Sequence, residues 1–267
     1  MLLVSAKIGP FKSIEKPEEV KIEEGVTVLV GMNESGKTVF LEALQKSDDI
    51  FDLAKFIPID DYPRKNLSFY ERRHETLPDT ATVLTYEITD KEADAINKSL
   101  HTQLPSKFRF SIHHYYDNRK NISLQVDPKA VIAELAKQAD LSSEFRDAIS
   151  KVSLFGEIPK AVEGLSLTDA DKQCLTSVNQ RVETAQNANW SDTISYEVLQ
   201  QLTPRTPKFM YFGDYEVLPS KMNLADLANV SRRRNQIPLR SHPSTEASWH
   251  FLGWQIFRLM LSLNPAQ

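Results

Sequence analysis

Eight consecutive residues, Gly31-Met32-Asn33-Glu34-Ser35-Gly36-Lys37-Thr38, satisfy G-x-x-x-x-G-K-[ST] at every fixed position. A loop of this kind curls so that successive backbone N–H groups point inward. A helix starting at its end adds the positive pole of its dipole, and the two together hold phosphate. Gly31 and Gly36 permit backbone angles and a close approach that a Cβ would hinder. The Lys37 ammonium, the expected catalytic group, would bridge β- and γ-phosphates, and the Thr38 hydroxyl would hold Mg²⁺. ATP with Mg²⁺ is the expected ligand, with Met32, Asn33, Glu34 and Ser35 lining it. A merely solvated turn would leave Lys37 and both glycines without a shared purpose.

Such a loop works only between a strand and a helix. Val26-Thr27-Val28-Leu29-Val30 is a β-branched run suited to a buried strand, and Val39-Phe40-Leu41-Glu42-Ala43-Leu44 has helical spacing. Further strands are predicted at 2–8, 20–23 and 80–89, and a helix at 90–100. A hairpin is predicted from 108–116 and 122–126 around Asp117-Asn118. After Pro128 the pattern turns helical near 129–138, 142–151, 168–187 and 192–202, and a strand returns at 209–212. This order predicts an α/β P-loop sheet interrupted by a mostly helical insertion. The expected division is an ATPase lobe over 1–79, an insertion over 80–205, a return strand to the core over 206–230 and a distinct tail over 231–267.

The whole chain has 267 residues, 41% apolar and 25% charged, enough for a sizeable core. Its net charge of -4 argues against uniform attraction to nucleic acid or anionic lipid, though not against a local basic patch. Residues 1–230 carry 27 basic and 35 acidic groups, whereas 231–267 carry 5 and 1. That tail holds Arg232, Arg233, Arg234 and Arg240, and Phe251, Leu252, Ile256, Leu259, Met260 and Leu263 stand at helical spacings suited to a core or subunit contact. A lone Cys174 forms no internal disulfide, and Lys7 interrupts the opening apolar run before it reaches signal-peptide length. The expected address is the cytoplasm. No run approaches the roughly 20 apolar residues of a membrane-spanning helix.

Ile8-Gly9-Pro10-Phe11-Lys12-Ser13-Ile14, Val20-Lys21-Ile22, the stretch from Thr27 to Thr38 and Phe40-Leu41-Glu42-Ala43-Leu44 together resemble the amino-terminal lobe of RecF/SMC/OLD-type ATPases of the ABC class. The resemblance is tight over residues 1–46. Residues 58–70 and 207–218 are similar to segments of the bacterial OLD-like subgroup. The resemblance implies that Asn33 sits near the γ-phosphate and Lys12 on the phosphate side of the nucleotide. It also implies a head that sandwiches ATP between two subunits, as a homodimer or with a second ATPase or nuclease subunit, in DNA repair, DNA processing or antiphage defence.

Two parts of such a head are not evident in this sequence. Leu165-Ser166-Leu167-Thr168 is the nearest string to a signature segment, but it lacks the glycines and reads better as a helix start capped by Thr168, with Asp169 and Asp171 in the first turn. The nearest Walker B candidate is Phe209-Met210-Tyr211-Phe212-Gly213-Asp214, followed by Glu216. Gly213 offsets Asp214, the candidate magnesium acid, by one residue and so toward the opposite face of a regular strand. The chain is expected to be an amino-terminal fragment or frame-altered product of a longer ATPase. His113-His114 as strand neighbours point to opposite faces and do not read as metal ligands; His74 falls in a solvated charge run; Arg64 and Lys65 read as loop cations able to meet phosphate or DNA; Cys174 reads as a packed thiol. The expectation is thus an ATP-binding ATPase, set against a non-hydrolysing nucleotide-binding module and a P-loop small-molecule kinase.

Overall fold

The structure is a computed structural model that describes residues 1–33 and 35–211. Residues 1–210 form one unit around a five-stranded sheet of β1 (Leu2–Ile8), β2 (Glu18–Lys21), β3 (Thr80–Glu87), β4 (Arg109–Tyr115) and β5 (Lys120–Ser123). The order is β2-β1-β3-β4-β5, and every neighbouring pair is antiparallel. Period-2 alternation decides what faces inward: Thr82, Leu84 and Tyr86 of β3 and Phe110, Ile112 and His114 of β4 are buried, while the residues between them are partly or fully exposed.

Helix α1 (Lys37–Ser47) packs on this face through Phe40, Ala43 and Leu44. At its end the Ser47 hydroxyl lies 2.6 Å from that of Thr82, which meets His114 Nδ1 at 3.2 Å. Two short helices follow, α2 (Pro58–Asp61) and α3 (Arg64–Glu71), then α4 (Asp90–Leu100) between β3 and β4. The helical part contains α5 (Lys129–Ala136), α6 (Ser143–Ser150), α7 (Ile158–Ala161), α8 (Asp169–Asn187) and α9 (Thr193–Leu202). Side chains set the starts: Thr89 and Thr168 form capping boxes with Glu92 and Asp171, and Ser142 and Asp192 cap α6 and α9. Thr168 therefore opens a helix, as its context predicts. Burial pushes the Asp171 carboxyl upward, but hydrogen bonds from Ser142 and Thr168 outweigh it and hold the group at about 2.

Several expectations are corrected. The run 26–30 is not a buried strand: it pairs with no strand among the described residues, and Val28 and Val30 are 70% and 87% exposed. An extended segment becomes a sheet strand only where a neighbour takes its N–H and C=O groups, and β1 is already flanked by β2 and β3. The sheet also runs across position 79/80, because β3 pairs directly with β1 along Leu2–Ile8. Arg64 and Lys65 stand on helix α3 rather than in a loop. His74 is half-buried, its Nδ1 2.6 Å from the Tyr70 hydroxyl, so it does not belong to a purely solvated face. Of the strand expected at 209–212, Phe209 makes one parallel bridge to Asp49 beyond the end of α1. Glu34, Phe212, Gly213, Asp214, Glu216 and the tail 231–267 lie outside the described residues.

Candidate functional site

Gly36 stands at the N-cap of α1 with φ +89°, in the left-handed region where a side chain is strained. Gly31 lies close to Ser35, whose Oγ would be 2.7 Å from a Cβ there. Gly36 therefore sits where backbone freedom is used, whereas a Cβ at Gly31 would meet only the Ser35 side chain. Helix α1 has no side-chain cap and no acidic residue in its first turn. Among the described residues no protein anion answers its first N–H groups or the positive end of its dipole, an arrangement that suits a phosphate.

Lys37 folds back over the loop. Its Nζ donates to the carbonyl oxygens of Gly31 at 2.9 Å and Met32 at 2.6 Å and to Ser35 Oγ at 3.2 Å. All three ammonium protons are used, and all on neutral oxygens. A phosphate oxygen in the same place would accept a charge-assisted bond of roughly twice the strength. Met32, Asn33, Ser35 and Thr38 are exposed around this point. The described residues thus supply the helix side of a triphosphate site, with uncapped donors, a left-handed glycine and a lysine held at the loop's own oxygens, while no sheet strand leads into the loop among the described residues.

Lys12 approaches from the turn after β1. Its φ is +46°, its N–H donates to the Asp61 carbonyl at 2.6 Å, and its Nζ is ion-paired with Glu42. Glu42 lies four residues beyond Thr38 on α1, so the two share a helix face. The structure therefore brings Lys12 one turn along α1 from Thr38, engaged with protein. One turn further, Lys46 Nζ contacts both carboxylate oxygens of buried Asp61 at 2.8 and 2.6 Å. Asp61 Oδ2 also accepts from Ile57 N–H, and the Tyr116 hydroxyl donates to the carbonyls of Pro10 and Asp61. Reasoning from motifs missed Glu42, Lys46 and Asp61; the signal present was the i, i+4 spacing of Thr38, Glu42 and Lys46.

A cleft of about 330 Å³ opens beside the loop, lined by Ser13, Ile14, Glu15, Lys16, Glu18 and Ser35. A second, of about 410 Å³, lies in the helical part and includes His101, Glu134 and Arg181, but Arg181 is already held by both oxygens of Glu197. His113 and His114 point to opposite faces, the latter buried, and no group of three or more potential metal ligands occurs among the described residues. Cys174 is buried in α8, and burial raises its thiol pKa. No helix among the described residues is long and apolar enough to cross a membrane.

No curated protein matches this chain. Residues 1–208, which carry the phosphate loop, the helix behind it and the antiparallel sheet, match the AAA ATPase domain family, and the chain belongs to that family.

Proposed function

We propose that this chain binds ATP with Mg²⁺ at residues 31–38 and hydrolyses it, as an ATPase head of the RecF/OLD-like ABC class serving DNA repair, DNA processing or antiphage defence. The observation that carries the reading is the uncapped start of α1, with Lys37 Nζ gathered onto the oxygens of Gly31, Met32 and Ser35. In this reading Gly31, Met32, Asn33, Glu34, Ser35 and Gly36 wrap the phosphates, Lys37 exchanges carbonyl partners for phosphate oxygens, and Thr38 offers its hydroxyl to the metal. Bound Mg²⁺ would supply charge neutralisation on the phosphates. Lys12 would leave Glu42 to join the phosphate side. The AAA ATPase family match supports the nucleotide, and the Phe11-Lys12 turn lying against α1 supports the finer class. Asp214 remains the candidate magnesium acid.

The test is a titration with a fluorescent ATP analogue and Mg²⁺, together with phosphate release with and without DNA. Lys37→Ala is expected to lower nucleotide affinity at least about tenfold, the loss of roughly one charge-assisted hydrogen bond. Equal affinity of the two proteins overturns the loop assignment. Binding without phosphate release, with or without DNA, favours the non-hydrolysing module instead.

A further inference from the structure

Helix α3 presents two unlike faces. Its inner side is anchored: Tyr70 is buried and stacked on Tyr62 with centroids 4.1 Å apart and planes 6° apart, and the adjoining Arg73 grips both oxygens of Asp79. At 100° per residue, Arg64, Lys65, Ser68, Phe69 and Arg72 fall together on the opposite side. All five are exposed, Phe69 at 75% of its residue surface. The Arg72 guanidinium lies 6.0 Å from the centre of that ring.

An isolated exposed phenylalanine is unremarkable; one flanked by three cations on a chain of net charge -4 is not. The acidic groups near the face are few. Glu15 makes a loose 3.3 Å pair with exposed Lys65, and Glu71 and Glu75 stand at the flank and beyond the helix end. What is left is a row of exposed cations beside an open aromatic ring, on a helix anchored by its other face. A partner that answers both features carries regularly spaced anions and flat π-faces in one polymer.

We propose that the outward face of α3 is a binding surface for single-stranded nucleic acid, with Phe69 as the platform for a stacked base and Arg64, Lys65 and Arg72 taking the neighbouring phosphates. Every base has a π-face, so the surface reads no particular sequence. This gives the DNA-directed part of the proposed function a location. It needs no ATP, so it stands or falls separately from the phosphate loop.

The experiment uses the full 267-residue chain and a fluorescein-labelled oligodeoxynucleotide of mixed sequence, about 16 nucleotides long, followed by anisotropy without nucleotide. Phe69→Ala is expected to weaken binding about tenfold and Phe69→Trp to restore it. Arg64→Ala and Arg72→Ala should each flatten the dependence of log affinity on log salt by about 0.7. These side chains are exposed, so the variants should melt with the parent protein. Wild-type affinity in Phe69→Ala and both arginine variants overturns the proposal. So does equal competition by polyglutamate with indifference to Phe69, which would make the face a docking site for acidic protein. Equally tight binding of duplex, again indifferent to Phe69, rules out the stacking role and overturns the proposal as well.

Discussion

Lys37 and Met32 are joined by a 2.6 Å hydrogen bond in which the side-chain ammonium of one closes onto the backbone carbonyl of the other. The loop thereby holds its own cation at its mouth. In the proposed function the lysine is placed before any ligand arrives, and nucleotide entry would exchange its partners rather than order a long side chain from solvent.

The backbone at Gly36 yields the first prediction. A Cβ there would meet only Ile14 and Ser13 atoms at 3.7 Å, an ordinary contact, so space is not the obstacle. The left-handed φ is. Gly36→Ala should therefore destabilise the protein by about 1–2 kcal/mol in urea unfolding. An unchanged midpoint would mean that the loop does not depend on this angle.

Glu42 competes for Lys12 in the proposed function. The pair is about a third exposed on each side, so Glu42→Gln should cost less than about 1 kcal/mol of stability. The same change should raise affinity for MgATP several-fold by freeing Lys12. Adding Lys12→Ala should remove that gain. If affinity is indifferent to both changes while the melting temperature holds, Lys12 has no part in nucleotide binding.

His114 predicts a pH dependence of stability. Burial, reinforced by nearby Lys120 and opposed by Asp48, depresses it from 6.5 to about 3, so the folded protein keeps it neutral. Between those values the unfolded chain binds the proton and the folded chain does not. The contribution is therefore complete above about pH 6.5 and lost as pH falls toward about 3, with a slope of at most about 1.4 kcal/mol per pH unit. Denaturation at a series of pH values should show a shallower acid slope for His114→Gln than for the parent. Matching slopes would place this imidazole in contact with water.

Val28 and Leu84 make a contrasting pair, one exposed and one wholly buried between sheet and helix. Val28→Thr should shift stability by no more than about 0.5 kcal/mol, whereas Leu84→Ala should cost about 2–5 kcal/mol. Comparable losses at both positions would show that residues 26–30 are covered in solution.

Local rules made much of this molecule legible. β1 and α4 lie where alternation and helical spacing put them, and Thr89, Ser142, Thr168 and Asp192 begin their helices because each side chain accepts from a nearby N–H. The candidate loop stands out in the sequence because its glycines, lysine and threonine follow one fixed spacing. Residues 26–30 were misread because a β-branched run states a preference for extended backbone and nothing about its neighbours. α3 was missed because it is eight residues long, follows Pro63 without a side-chain cap, and owes its place to Tyr70 stacking on Tyr62. The engagement of Lys12 with Glu42 joins residues thirty apart in the chain and has no local signature.

Asp61 is held at its carboxylate by Lys46, on the helix behind the candidate phosphate loop, and by the Ile57 N–H, and at its carbonyl by the Lys12 N–H and the Tyr116 hydroxyl; Pro63-Arg64 stands two residues on in the chain. It acts as a tie rod. Were α1 to shift on binding nucleotide in the proposed function, the shift would reach the root of α3 through this carboxylate. In that case a ligand on α3 that resisted the shift would weaken nucleotide binding, and one that favoured it would strengthen it, each by the same factor in the reverse direction.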